Sequence, residues 1–117
     1  MARRDITGVV DFGYLETYAG HDFSLVEEVL GLFRQQAELW SPLLVPEAEG
    51  WQDAVHSVKG TARGIGANPL AAACEHAELA GAGALPAVRQ ALDEALMDVA
   101  AYLHELALQS LKPDGRP

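Results

Sequence analysis

Apolar residues recur along most of this chain at three- and four-residue intervals and almost nowhere alternate with polar ones. That is the pattern of amphipathic helices rather than of strands. A short first helix is predicted from about Asp11 to Ala19, ended by Gly20. A second opens at Asp22 or Ser24, where Ser24 and Glu27 have capping-box spacing, and carries the stripe Leu25, Val29, Leu32, Phe33, Ala37, Trp40. Pro42 and Pro46 weaken or end it, and Val45 to Gly50 reads as a connection. A third helix starts near Trp51 and stops at Gly66, a C′ glycine. Asn68-Pro69 then supplies an N-cap and an N1 proline for a fourth, with Leu70, Ala73, Cys74 and Ala77 on one face. It dissolves in Gly81-Ala82-Gly83. A fifth begins around Leu85-Pro86 and keeps its stripe through Val88, Leu92, Ala95, Leu96, Val99, Leu103 and Leu106.

Composition agrees with this reading, since 20 alanines stand against 14 β-branched residues. Four long amphipathic helices with short connections make an all-α, antiparallel four-helix bundle, with the additional short N-terminal helix packed across one end. The 117 residues are a single domain, 1–117, with a folded core of about 9–111 and a frayed tail over 112–117. The chain has no repeats and no room for separate catalytic and regulatory domains.

Charge narrows the partners. Eight Lys and Arg against 17 Asp and Glu give a net charge of -9, which excludes a basic footprint for nucleic acid. The apolar runs are too short to span a membrane. No apolar segment follows the basic start Met-Ala-Arg-Arg-Asp, so no signal peptide is expected and the location is cytoplasmic. The one cysteine, Cys74, fits a reducing compartment and a small core residue.

The third helix breaks the bland pattern. With Trp51 at zero on a wheel of about 100° per residue, Ala54, Val55, Val58, Ala62 and Ile65 fall within roughly 60° of it, the core face. His56 falls at about 140°, Arg63 at about 120°, Gly60 at about 180°, Gly64 at about 220° and Lys59 on the flank near 80°. His56 therefore faces solvent. A mid-helix glycine costs about 1 kcal/mol relative to alanine, which this chain uses freely. Gly60 and Gly64 instead make a bare strip that lets another protein approach the imidazole. Between Arg34 and Arg89 the only Lys or Arg residues are Lys59 and Arg63, both within two turns of His56. An anion carried by His56 would be stabilised by them. A neutral imidazole is a competent nucleophile toward phosphoryl, yet no nucleotide-binding glycine loop is present, so the phosphoryl group must come from another protein.

The stretch His56-Ser57-Val58-Lys59-Gly60-Thr61-Ala62, continuing with Gly66-Ala67, Leu70, Cys74 and Glu78, resembles the pattern HxxKGxxxxxGAxxLxxxCxxxE of the histidine-containing phosphotransfer (Hpt) domains of two-component phosphorelays. A weaker resemblance runs through the second helix (LVEEVLGLFRQQA) and the fifth, so nearly the whole chain is covered. The resemblance implies a four-helix bundle with an extra N-terminal helix. It implies that His56 accepts the phosphoryl group, that Lys59 screens its charge and that Gly60 gives clearance for docking; the wheel adds Arg63 and Gly64 as candidate partner contacts. The reading is then a relay intermediate with no kinase activity and no cofactor of its own, expected as a monomer. The partners would be receiver domains of response regulators and hybrid sensor histidine kinases, which bring the Mg²⁺. Pro42 and Pro46 depart from the family, many of whose members continue a longer second helix.

Two other readings compete. The same bundle could bind a receiver without phosphotransfer, as an interaction module. A metal site from Cys74 and histidines is disfavoured, because Cys74 and His76 are two residues apart and point to different helix faces. His21 and His104 receive no role, and Trp40 and Trp51 are placed near the bundle ends.

Overall fold

The computed structural model describes residues 8–111. The tail expected over 112–117 and the N-terminal basic segment lie outside them. Five α-helices follow one another: α1 Phe12–Tyr18, α2 Phe23–Trp40, α3 Trp51–Ile65, α4 Asn68–Ala80 and α5 Leu85–Leu111, with 3-10 turns at Ser41–Leu43 and Ala82–Ala84. No strand occurs among the described residues, and none of the helices is long and apolar enough to cross a membrane. The all-α bundle with a short leading helix is therefore the architecture.

Local chemistry sets the helix ends. The Asp11 carboxylate caps α1 by accepting from the Tyr14 N–H at 3.0 Å, and Asp22 caps α2 by accepting from the Leu25 N–H at 3.2 Å. Of the two starts offered for α2, Asp22 is thus the one used, and Ser24 lies inside the helix. The turn between α1 and α2 places Gly20 and His21 in the left-handed region, at φ 66° and 62°. The second helix ends at Trp40, and Pro42 sits in the 3-10 turn that follows. Gly66 terminates α3 at φ 82°, and α4 begins with Ala67 as its N-cap, one residue earlier than the Asn68 cap read from sequence.

Gly66 answers to a second demand. The Asp11 N–H donates to its carbonyl at 2.8 Å, and a Cβ at Gly66 would stand 2.8 Å from the Asp11 carbonyl oxygen. This close approach anchors the start of α1 on the α3–α4 corner. With only Gly66 and Ala67 between α3 and α4, the two helices fold back side by side, and that juxtaposition builds the site.

One apolar core joins all five helices. The register of α2 keeps half of its expected stripe: Phe33, Ala37 and Trp40 are buried as expected, but Val26 and Leu30 are buried in place of Leu25 and Leu32, which are 42% and 52% exposed. The helix carries two apolar stripes offset by roughly 100°, and packing selects the one that contains the aromatic pair Phe33–Trp40, whose centroids are 6.2 Å apart. Of the unselected stripe, Leu25, Leu32 and Leu39 stay at the surface, while Val29 is half-buried against the core. The opposite flank of α2, with Arg34, Glu38 and Ser41, lines a groove against Leu96 and Ala100 of α5. The exposed stripe therefore lies on the α3 side.

Leu44 is fully buried in the connection after α2 and plugs that end of the bundle. On α5, Val88, Leu92, Ala95 and Val99 are buried as expected, whereas Leu96, Leu103 and Leu106 are half-buried. Asp98 and Tyr102, absent from the expected stripe, are buried instead. Asp98 accepts from the Val9 N–H at 3.1 Å, the Tyr102 hydroxyl donates to Glu16, and Phe12 stacks on Tyr102 at 4.2 Å. The leading segment and α1 thus close over the far part of α5, giving a molecule of 56 × 22 × 22 Å.

Candidate functional site

His56 stands on the outer face of α3 with 76% of its side chain exposed. Its Nδ1 lies 3.2 Å from Oε2 of Glu78 on α4, and Lys59 Nζ lies 2.5 Å from Oε1 of the same carboxylate. Lys59 is three residues after His56, so both side chains leave α3 on neighbouring turns toward α4. Only 16% of the Lys59 side chain is exposed: its stem lies along the seam between the helices and its ammonium emerges at Glu78. Arg63, one further turn along, approaches Glu75 at 3.8 Å.

The charges act on one another in a consistent direction. The Lys59 hydrogen bond, followed by that of His56, holds the Glu78 carboxyl below the usual carboxylate range, so Glu78 is ionised at neutral pH. An ionised carboxylate can only accept, which assigns the proton of the neutral imidazole to Nδ1 and the lone pair to Nε2. Among the described residues Nε2 has no hydrogen-bond partner. Cys74, one turn before Glu78, is buried; that burial and the nearby carboxylate push its thiol up to about 11. It is a neutral core thiol.

The two glycines are as bare as their wheel positions suggested. A Cβ built on Gly60 or Gly64 meets nothing within 4 Å, so no internal packing requires glycine at either place. Around α3, the α4 side carries His56, Lys59 and Arg63, and the helix wheel puts Ser57 and Thr61 on the opposite flank. Gly60 and Gly64 lie between, leading toward the exposed α2 stripe.

Sequence reasoning placed His56, Lys59, Gly60, Arg63 and Gly64 on one face, and the fold keeps them there. It assigned no part to Glu78, whose carboxylate joins His56 to Lys59. The available signal was its place as the final Glu of the family pattern, four residues after Cys74 and about 40° around α4 from a buried thiol, hence at the edge of the packed face. Cys74 and His76 point apart, one buried and one exposed, and the described residues contain no cluster of three His, Cys, Asp or Glu able to hold a metal. Trp40 is buried and Trp51 half-buried, both at the end of the bundle where α2 gives way to α3.

The family model for the Hpt domain matches residues 25–109, most of the chain and all of this face. The protein belongs to the Hpt domain family. The crystal structure of histidine phosphotransferase ShpA from Caulobacter crescentus is 60% identical in sequence to this Hpt domain and superposes with a TM-score of 0.84, covering 90% of this chain and 100% of that one. No curated protein sequence matches it. This Hpt domain is a histidine phosphotransfer protein of phosphorelays, a family whose members are phosphotransfer intermediates rather than kinases and which work with receiver domains.

Proposed function

We propose that His56 carries the phosphoryl group, taking it through Nε2 from the phospho-aspartate of one receiver domain and passing it to the aspartate of another. The observation that carries this reading is the exposed imidazole whose Nδ1 is engaged by Glu78, which leaves the Nε2 lone pair toward solvent for in-line attack on phosphorus. Lys59 places a positive charge beside the ring and lowers the cost of bringing a phosphoryl dianion there. The bundle contributes a nucleophile held in one tautomer. The acidic pocket and its Mg²⁺ belong to the receiver, and this chain needs no cofactor of its own.

The receiver seats on the strip of Gly60 and Gly64, with Arg63 at one margin and the exposed α2 residues Leu25, Leu32 and Leu39 at the other. An apolar stripe beside a bare, polar-edged strip suits a transient interface of small area. The test is phosphotransfer profiling, in which the protein and its His56→Gln variant are offered radiolabelled phospho-receivers and label is followed over time. Alkali-stable, acid-labile label on the wild type alone is the expected result. Receivers that bind without transferring label would instead make the bundle an interaction module.

A further inference from the structure

The carboxylate that fixes the tautomer of the free ring has a different effect once the ring is phosphorylated, granted the assignment of His56 above. In the forward step the Nε2 lone pair forms the N–P bond while the acyl O–P bond of the donor breaks, its electron pair leaving on the receiver carboxylate. The immediate product carries phosphoryl on Nε2 and a proton on Nδ1, a phosphoimidazolium. An imidazolium in water gives up such a proton near neutral pH. Here the exposed Nδ1 lone pair would face Oε2 of Glu78 at 3.2 Å, two acceptors with no hydrogen between them. Glu78 is also a poor base for removing that proton itself, because Lys59 holds the other oxygen at 2.5 Å.

We propose that Glu78 is a positioning residue that keeps the proton on Nδ1 of His56 throughout the phosphorylated state, so that the phosphoryl group sits on an imidazolium and departs without any proton having to move. When the N–P bond breaks, its electron pair returns to Nε2, and the ring is again neutral with Nδ1–H donating to Glu78. A neutral phosphoimidazole would have to expel an imidazolate or wait for a proton. The same bond thus serves uptake and release, at the expense of a shorter lifetime in water.

The groups that face Glu78 bear this out. From α3 these are Lys59 and His56, the two whose hydrogen bonds and charges depress its carboxyl. From its own helix Cys74 feels its charge and stays a neutral thiol, and neither Glu75 nor His76 shifts it. The next charged pair along the seam, Arg63 with Glu75, holds itself at 3.8 Å. Neither α2 nor α5 supplies a described residue that shifts it.

The experiment loads the purified chain with phosphoramidate, a small P–N donor that bypasses any receiver. The ¹⁵N shifts of Nδ1 and Nε2 are then followed against pH in the wild type, Glu78→Gln and Lys59→Met. A glutamine can turn its amide N–H toward an unprotonated Nδ1, so it no longer favours the cation. The expected result is that phosphorylated wild type loses the Nδ1 proton about one pH unit or more above Glu78→Gln, a tenfold change in the ratio of the two forms. Phosphoryl is then also lost several-fold more slowly from Glu78→Gln at about pH 8. Lys59→Met, which keeps the carboxylate, retains the high midpoint. Equal midpoints in wild type and Glu78→Gln overturn the role of Glu78 while leaving His56 as the carrier. Uptake that survives His56→Gln overturns both.

Discussion

Gly60 within α3 and Gly66 just beyond its end show how far one residue type can serve opposite demands. Gly60 has helical backbone angles and empty space where a Cβ would go, so alanine there should raise stability by about 1 kcal/mol. The same methyl stands on the strip where a receiver would seat, and Gly60→Ala should slow transfer as it stabilises the fold. Urea denaturation and a transfer time course on the one variant read both signs, and a variant faster in transfer would remove Gly60 from the interface. Gly66→Ala should do the reverse. It forces alanine to φ 82° against the Asp11 carbonyl and should cost at least about 1–2 kcal/mol without touching the surface around His56. Cys74 adds a pH dependence with a definite sign. Its folded thiol is raised to about 11, so folding favours the protonated form. Stability from this source is intact below the unfolded thiol value of about 8.5 and falls as pH rises from there through the folded value. Stability measured against pH should therefore decline more steeply in the wild type than in Cys74→Ala across that alkaline window, and equal slopes would show the thiol to be better solvated than its burial implies.

At the scale of elements, the helix bounds were legible because glycine and proline punctuate this sequence at almost every corner. The facing of α2 was not. Leu25, Leu32 and Leu39 are as apolar as Val26, Leu30 and Phe33, and only the arrival of α3 and α5 decides which stripe is inside. Leu30→Ala should accordingly cost about 2–5 kcal/mol, the usual range for a buried leucine. Leu32→Ala should change stability by no more than about 0.5 kcal/mol and yet weaken binding to phospho-receivers. Chemical denaturation of both variants checks the pair, and a large loss on Leu32→Ala would mean that the stripe is covered in the working protein. Glu78 stands in the family pattern, but its task was illegible for a related reason. A carboxylate on α4 has no evident task until the two-residue corner at Gly66 and Ala67 sets α4 beside α3. His56 and Lys59, by contrast, share one helix, and their relation follows from the wheel alone.

Across the whole molecule the least local contacts were the hardest to foresee. Asp98 and Tyr102 are buried because the chain's first described residues and α1 return to cover them, a pairing of positions more than 80 residues apart. Tyr102→Phe keeps the stack on Phe12 and removes the donor to Glu16, and should cost about 1 kcal/mol. Native-state hydrogen exchange should then show the added opening in α1 and the far part of α5, leaving α3 and α4 protected. Uniform loss of protection would mean that the closure belongs to the same cooperative unit as the site.

The bare strip on α3 has one more consequence. A glycine surface has no rotamers, so a partner that settles on Gly60 and Gly64 freezes nothing there and loses nothing when it leaves, which favours brief encounters over tight ones. It also displays only main chain, the part of a protein that differs least from one molecule to the next. The strip by itself cannot tell one visitor from another, and any choice among several visitors falls to the side chains at its margins, Arg63 on one side and the leucines of α2 on the other.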